Sequence, residues 1–280
     1  MSILIKEYFQ TKAKLGIEAT KVDLTRLLDI KMPSMSKYGI PVLNKRGYVR
    51  TPLNEYTEGF IKSASNAKSP VLEIGCAYGH VVQEVLKGEG TIVACDAGAE
   101  HLEILVQQTP AEYLNRLYLY PAEFPDNTSF SSESFDSILA SRVLHFLDGS
   151  TLERGLDKMY DWLTPGGRLY FTALSVHHKE IKKHFLSSYQ ENSKNKIKWA
   201  GEIQDPWKFV EDHSGCSPKF LHVFDIPQLE ELLPEHGFEI EKISLFNYSD
   251  DTTAGESGHI GFVARKVAKN EKRRSKNKEK

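Results

Sequence analysis

Nine residues, Val71-Leu72-Glu73-Ile74-Gly75-Cys76-Ala77-Tyr78-Gly79, constrain the fold more than any other stretch of the chain. An apolar run with a single acid ends in a Gly-x-Ala-x-Gly turn, and apolar residues at helical spacing follow. A second apolar run, Thr91-Ile92-Val93-Ala94-Cys95, ends at Asp96, twenty-one residues after Gly75. This layout predicts a strand, a tight turn, a helix and a second strand with a carboxylate at its carboxyl end. In doubly wound α/β sheets, ligands lie across the carboxyl ends of the strands, where the chain order reverses. Gly75 and Gly79 let the backbone approach a ligand without a Cβ in the way. Asp96 can accept hydrogen bonds from both hydroxyls of a ribose. A nucleoside-containing ligand is therefore expected.

The glycine spacing narrows that ligand. A dinucleotide fingerprint places glycines at positions one, three and six, the third for close helix–strand packing. Here those positions hold Gly75, Ala77 and His80, and a histidine in the tight third slot argues against pyrophosphate recognition. The spacing instead resembles the E/D-x-G-x-G-x-G first motif of class I S-adenosylmethionine-dependent methyltransferases, with Ala77 in place of the middle glycine. Phe135-Asp136-Ser137-Ile138-Leu139-Ala140, followed by Ser141-Arg142-Val143-Leu144-His145, resembles the same family's "FD-x-I/V … VLH" strand and its continuation. Leu163-Thr164-Pro165-Gly166-Gly167-Arg168-Leu169 resembles its "L-x-PGG-x-L" turn and strand. The three motifs stand in the family's order, and the resemblance covers roughly residues 56–266.

The resemblance implies an α/β fold with a doubly wound, seven-stranded, mostly parallel sheet whose final strand is antiparallel. It implies S-adenosylmethionine as cofactor and methyl transfer as the activity. It places Glu73 at the cofactor ammonium, directly or through water, and Gly75, Ala77 and Gly79 under the methionine and ribose. It puts Asp96 on the ribose hydroxyls and the Ala140-Ser141 backbone beside the methionine portion. The adenine-contacting acid normally follows the third parallel strand, but the stretch here is Tyr120-Pro121-Ala122-Glu123, with proline at the usual aspartate position. Glu123 or a backbone amide then takes that role. His145 is the candidate general base, since imidazole titrates near neutrality. A base is needed only if the acceptor carries a proton that must leave early. The plainer role for His145 is packing on a buried helix face.

The spacing predicts further strands at 117–120, 238–246 and 259–266. It predicts helices over 54–64, 79–87, 99–108, 150–162 (opened by the capping-box pattern Ser150-x-x-Glu153) and 227–236. Apolar residues at helical spacing also mark residues 1–30, with a loop between Pro33 and Pro41. The expected organisation is an N-terminal helical extension or lid over 1–55, a methyltransferase domain over 56–266 with an inserted cap at 174–222, and a disordered basic tail over 267–280. A connection as long as that insertion is often a lid or binding element, and its histidines and aromatics suit the acceptor side.

Forty per cent hydrophobic and 26% charged residues are the composition of a globular protein. No apolar run reaches the roughly 18 residues of a membrane span, and the amino terminus lacks the apolar core of a secretory signal. Three cysteines, Cys76, Cys95 and Cys216, suit free thiols in a reducing compartment, so a cytoplasmic location is expected. No Cys/His group has zinc-site spacing, and no metal is expected. Residues 265–280 hold nine Lys/Arg and two Glu, a local +7 that leaves −9 on the rest of a chain of net charge −2. That acidic body argues against a phosphate backbone as partner. So does Ser141-Arg142-Val143-Leu144, where methyltransferases of base amino groups carry an Asn/Asp-Pro-Pro-Tyr type motif. A small-molecule acceptor is the first expectation and a protein side chain the second. A non-catalytic S-adenosylmethionine-binding module is the competing class.

Overall fold

A computed structural model describes residues 15–27, 30–36, 39–206, 218–249, 255 and 257–268. In chain order the strands are β1 (Ile17–Glu18), β2 (Ile40–Pro41), β3 (Tyr48–Val49), β4 (Val71–Ile74), β5 (Ile92–Asp96), β6 (Leu117–Pro121), β7 (Phe135–Ser141), β8 (Leu163–Leu174), β9 (Glu202–Gln204), β10 (Phe220–His222), β11 (Phe238–Phe246) and β12 (His259–Lys266). The α-helices are α1 (Glu55–Ala64), α2 (His80–Lys87), α3 (Ala99–Gln108), α4 (Gly149–Trp162), α5 (Lys179–Lys194) and α6 (Ile226–Glu235).

Eight strands form one sheet in the order β1-β6-β5-β4-β7-β8-β12-β11. Strands β4 to β8 pair in parallel. β12 inserts antiparallel between β8 and β11. The seven expected strands and the antiparallel last one are all present. The chain order reverses between β4 and β7, so the carboxyl ends of those two strands flank the crevice where ligands bind in this architecture. β4, buried at every residue, sends Leu72 and Ile74 into one core layer and Val71 into the other. Helices cover both faces, which is why the central strands read as nearly continuous apolar runs. α1 packs Phe60 edge-on against Tyr170 of β8, their ring centres 5.8 Å apart.

The described N-terminal residues differ from the helical extension expected of them. Residues 15–27 hold two short 3₁₀ turns and β1, which adds an eighth strand antiparallel to β6 at the sheet edge. The loop expected between Pro33 and Pro41 ends in β2, the first strand of the β2–β3 hairpin. Helices this short rely on tertiary packing of an apolar face, and here the chain gains more by completing a sheet edge. α4 is capped two residues earlier, at Asp148, than its Ser150-x-x-Glu153 pattern suggests. Asp148 accepts the Thr151 N–H at 2.9 Å and the Ser150 hydroxyl at 2.8 Å. The full capping box belongs to α1, between Asn54 and Thr57. Within the insertion, α5 is followed by β9 and β10, which pair antiparallel. The helical spacing of residues 1–14, the basic tail from 269 on, and Trp207, Phe209, His213 and Cys216 lie outside the described residues. Among the described residues no helix is long and apolar enough to cross a membrane.

Candidate functional site

The turn after β4 is fixed by backbone geometry. Gly75, Ala77 and Gly79 all have positive φ, at 70°, 45° and 75°. The Gly75 and Cys76 amides both donate to the Cys95 carbonyl, at 2.8 and 3.1 Å, which ties the turn to the end of β5. A Cβ on Gly75 would come within 2.7 Å of Val143, and one on Gly79 within 2.3 Å of Leu105. These glycines thus answer to packing and backbone conformation as much as to ligand approach. Gly79 caps α2 without lining the cleft, and Ala140 is fully buried in β7 behind it. The other sequence-predicted residues, Glu73, Gly75, Ala77, Asp96, Glu123, Ser141 and His145, all line one cleft of about 730 Å³ above the carboxyl ends of the central strands.

Asp96, 6% exposed, is the best-connected carboxylate of the cleft. Its Oδ2 accepts the Ala77 N–H at 2.8 Å. Its Oδ1 accepts the Gly98 N–H at 2.7 Å and lies 2.9 Å from His101 Nδ1. His101 Nε2 in turn accepts the Leu43 N–H at 3.1 Å, so the ring proton sits on Nδ1 and points at Asp96. A carboxylate has about four acceptor positions. Asp96 therefore keeps room for one ribose hydroxyl rather than the two expected of it.

Glu73 is 5% exposed, and its Oε2 has no hydrogen-bond partner. Burial, reinforced by the Asp96 carboxylate, pushes its pKa up to about 8. A buried acid with one bare oxygen facing a cleft suits an incoming cation, as an amino-acid ammonium would provide. Cys76 and Cys95 are buried free thiols that burial holds protonated, which fits a packing role.

Glu123, about half exposed, pairs with Arg46 at 2.7 Å, so the β2–β3 hairpin reaches over the cleft to the strand β6 side. Tyr78 anchors the same hairpin by donating to the Pro41 carbonyl at 2.8 Å. At the other end, Ser141 shares a hydrogen bond with Thr172 at 2.9 Å, and Arg142 follows in the left-handed region at φ 57°. His145 lies on a 3₁₀ turn at 3% exposure, not on a helix, and its Nδ1 has no partner. Burial, then the Arg142 charge, lower its pKa well below the ordinary value, so its ring is neutral.

The larger departure concerns the walls. Of the described residues in the inserted cap, only Pro218, Lys219 and Phe220 reach the cleft. Of its other described histidines and aromatics, Tyr189 packs in a satellite core with Val176 and Ile203, and His177 faces Asp225. Most of the covering wall comes from residues 42–57, including Arg46, Tyr48, Arg50 and Asn54. His80, His101, Arg142 and Tyr248 are further cleft residues not singled out by sequence reasoning. The local signal that could have found Arg142 is its position directly after the strand that ends at Ser141.

Fold and cradle together define the class: this is the Rossmann-like fold of class I S-adenosylmethionine-dependent methyltransferases. The chain carries a methyltransferase domain, with the family model of that description matching residues 72–169. No curated protein sequence matches the chain. Among solved structures, it resembles an S-adenosylmethionine-dependent methyltransferase of Methanosarcina mazei, with TM-score 0.57 and 20% identity over 78% of this chain and 100% of that one. It also resembles the 1,6-didemethyltoxoflavin-N1-methyltransferase of Burkholderia thailandensis, solved with 1,6-didemethyltoxoflavin and S-adenosylhomocysteine (TM-score 0.51, 14% identity, 76% and 79% covered). A third is the phosphoethanolamine N-methyltransferase 2 of Haemonchus contortus, solved with S-adenosylmethionine (TM-score 0.53, 13% identity, 78% and 54% covered).

Proposed function

We propose that this methyltransferase passes the methyl group of S-adenosylmethionine to a small-molecule acceptor. The observation that carries the reading is the pairing of Glu73, with its bare buried Oε2, and Asp96, with one acceptor position left, on the floor of one cleft. Glu73 would receive the cofactor ammonium, Asp96 a ribose hydroxyl, and Ser141 would lie beside the methionine portion. Glu123, once parted from Arg46, would serve the adenine. The cofactor supplies a methyl group on a sulfonium, whose carbon–sulfur bond breaks as the bond to the acceptor forms and whose sulfur leaves as a neutral thioether.

The chain's own contribution is alignment, worth several orders of magnitude when reacting atoms are held in line. Arg142 and His145 sit at the end of β7, beside the position assigned to the methionine portion. Nδ1 of neutral His145 can hydrogen-bond a hydroxyl acceptor, and to act as its general base it would take the proton against the burial and the Arg142 charge that lower its pKa. The cleft volume of about 730 Å³ supports a small acceptor, since small-molecule sites commonly span 300–1,000 Å³.

Calorimetric titration with S-adenosylmethionine, followed by transfer of labelled methyl to a panel of small acceptors and to unfolded protein, tests the reading. Binding with turnover on small molecules is expected. Binding without turnover on any acceptor would leave a non-catalytic module, and turnover on protein alone would move the acceptor to a side chain.

A further inference from the structure

β11 pairs antiparallel with β12, and β12 antiparallel with β8. β11 therefore runs in the direction of the central strands, and its carboxyl end opens on the same crevice. Two residues beyond that end stands Tyr248, which lines the cleft at 5% exposure. His259 meets its ring edge-on with centres 4.8 Å apart, and Phe246 does so at 5.4 Å. The guanidinium of Arg142, the residue directly after β7, lies 5.8 Å from the ring centre. Tyr248 is thus held beside the end of β7, where the proposed pose puts the methionine portion of the cofactor.

A helix cap fixes the polarity of the Tyr248 hydroxyl. Asn54 is the N-cap of α1, and its Oδ1 accepts the Tyr56 and Thr57 N–H groups at 2.9 and 3.1 Å. An amide oxygen has two lone pairs, so the cap decides which end of the Asn54 amide is oxygen. Nδ2 is left to donate to Tyr248 Oη at 2.9 Å. Tyr248 accepts that bond, and its own proton must go elsewhere. Among the described residues Asn54 is its only hydrogen-bond partner. A buried donor without an acceptor is costly, and one in a cleft wall calls for a ligand. Independently, His145 Nδ1, in the same cleft wall at 3% exposure, has no partner among the described residues.

In an in-line displacement the lone pair of the attacking atom points at the methyl carbon, and a donor on that pair would tie it up. A fixed donor beside the reacting centre therefore suits an atom of the acceptor that does not react. We propose that Tyr248 positions the methyl acceptor by donating a hydrogen bond to a carbonyl-type oxygen, carried besides the atom to be methylated, with Asn54 setting the direction of that bond. The inference rests on the methyl-transfer reading. A site built to hydrogen-bond one substrate group rejects the analogue lacking it, because the site's own polar group is then left unpaired.

The test uses the full chain loaded with S-adenosylhomocysteine, whose binding is first measured by calorimetry for wild type and each variant. Acetophenone and α-methylstyrene, in which a CH2 group replaces the carbonyl oxygen, are then titrated and followed by NMR. Wild type should bind the ketone about three- to tenfold more tightly, as one neutral hydrogen bond contributes. Tyr248→Phe keeps the ring and should lose that preference. In Asn54→Asp one carboxylate oxygen keeps the helix cap, while the other draws the Tyr248 proton away from the cleft. This variant should lose the preference although Tyr248 is intact, a result that a merely packing tyrosine would not give. It also decides the matter if Tyr248→Phe fails to fold. Equal binding of the two probes by loaded wild type, binding of neither, or a preference that survives in either folded variant would overturn the inference while leaving the cofactor site intact. Failure of the wild-type chain to bind S-adenosylhomocysteine would instead sink the parent reading, and this inference with it.

Discussion

His101 Nδ1 lies 2.9 Å from Asp96 Oδ1, while Nε2 of the same ring accepts the backbone N–H of Leu43 at 3.1 Å. One imidazole thus joins the Asp96 carboxylate on the cleft floor to the hairpin that roofs the cleft. The ring is 1% exposed, and Tyr78 meets it edge-on, ring centres 5.1 Å apart. Two variants separate its contacts: His101→Asn can keep the donor toward Asp96, and His101→Gln the acceptor toward Leu43. S-adenosylmethionine affinity should fall less in His101→Asn than in His101→Leu, measured by calorimetry on folded protein.

Asp96→Ala should weaken S-adenosylmethionine binding by at least about tenfold. A hydrogen bond to a charged group is worth about 1.5–3 kcal/mol, and about 1.4 kcal/mol is a factor of ten. Unchanged affinity in a folded variant would remove Asp96 from the site.

On the proposed reading, in which Glu73 receives the cofactor ammonium, cofactor binding should be proton-linked. With a pKa near 8 Glu73 is protonated at pH 7, and an ammonium at Oε2 favours the carboxylate form, so binding should release a proton. Affinity should then rise between pH 6 and about 8, and the calorimetric enthalpy at pH 7 should differ between phosphate and Tris buffers. Glu73→Gln should abolish the difference; its persistence would assign the proton to another group.

The same group, set against two histidines, shapes stability without ligand. Glu73, raised from 4.5 to about 8, retains a proton that the unfolded chain releases, so its contribution declines as pH rises through that window. His145 and His222 are held neutral by burial, His222 down to about 4, so their contribution is present above 6.5 and is lost as pH falls. Each group contributes about 1.4 kcal/mol per pH unit within its window. Denaturant unfolding should therefore show maximal stability near pH 6.5. Glu73→Gln should flatten the alkaline side, and an unaltered decline in that variant would contradict the assignment.

Two glycines with similar φ should respond differently to alanine. At Gly79, φ 75° combines with Leu105 only 2.3 Å from the added Cβ, whereas at Gly166, φ 76° meets nothing within 4 Å. Gly166→Ala should cost about 1–2 kcal/mol from left-handed strain alone. Gly79→Ala should cost clearly more in the same unfolding measurement. By the same reasoning Gly75→Val, 2.7 Å from Val143, should destabilise the fold as well as disturb the cofactor turn.

Hydrogen exchange within residues 40–54 should slow when S-adenosylhomocysteine binds, because this segment supplies much of the cleft wall and contacts both Asp96, through His101, and Glu123. Protection confined to 174–206 would instead restore the cap to the role the sequence suggested.

Much of the sheet was legible because its signals are local. Apolar runs with β-branched residues, turn glycines and proline positions mark β4 to β8, α2 and α6 within windows of ten residues, and Glu73, Gly75 and Asp96 are readable because their spacing reflects one βαβ turn. What the residues do next depended on contacts distant in sequence. The donor set of Asp96 needs Leu43, 58 residues from the His101 it binds, and Glu123 meets Arg46 across 77 residues. β1 joins the sheet only because β6 leaves an open edge to pair, which no periodicity in residues 15–27 announces. The sequence by itself determined the order of strands and the acids at their ends. The tertiary structure decided which segment roofs the cleft and how many acceptor positions Asp96 has left, since each depends on burial and long-range pairing.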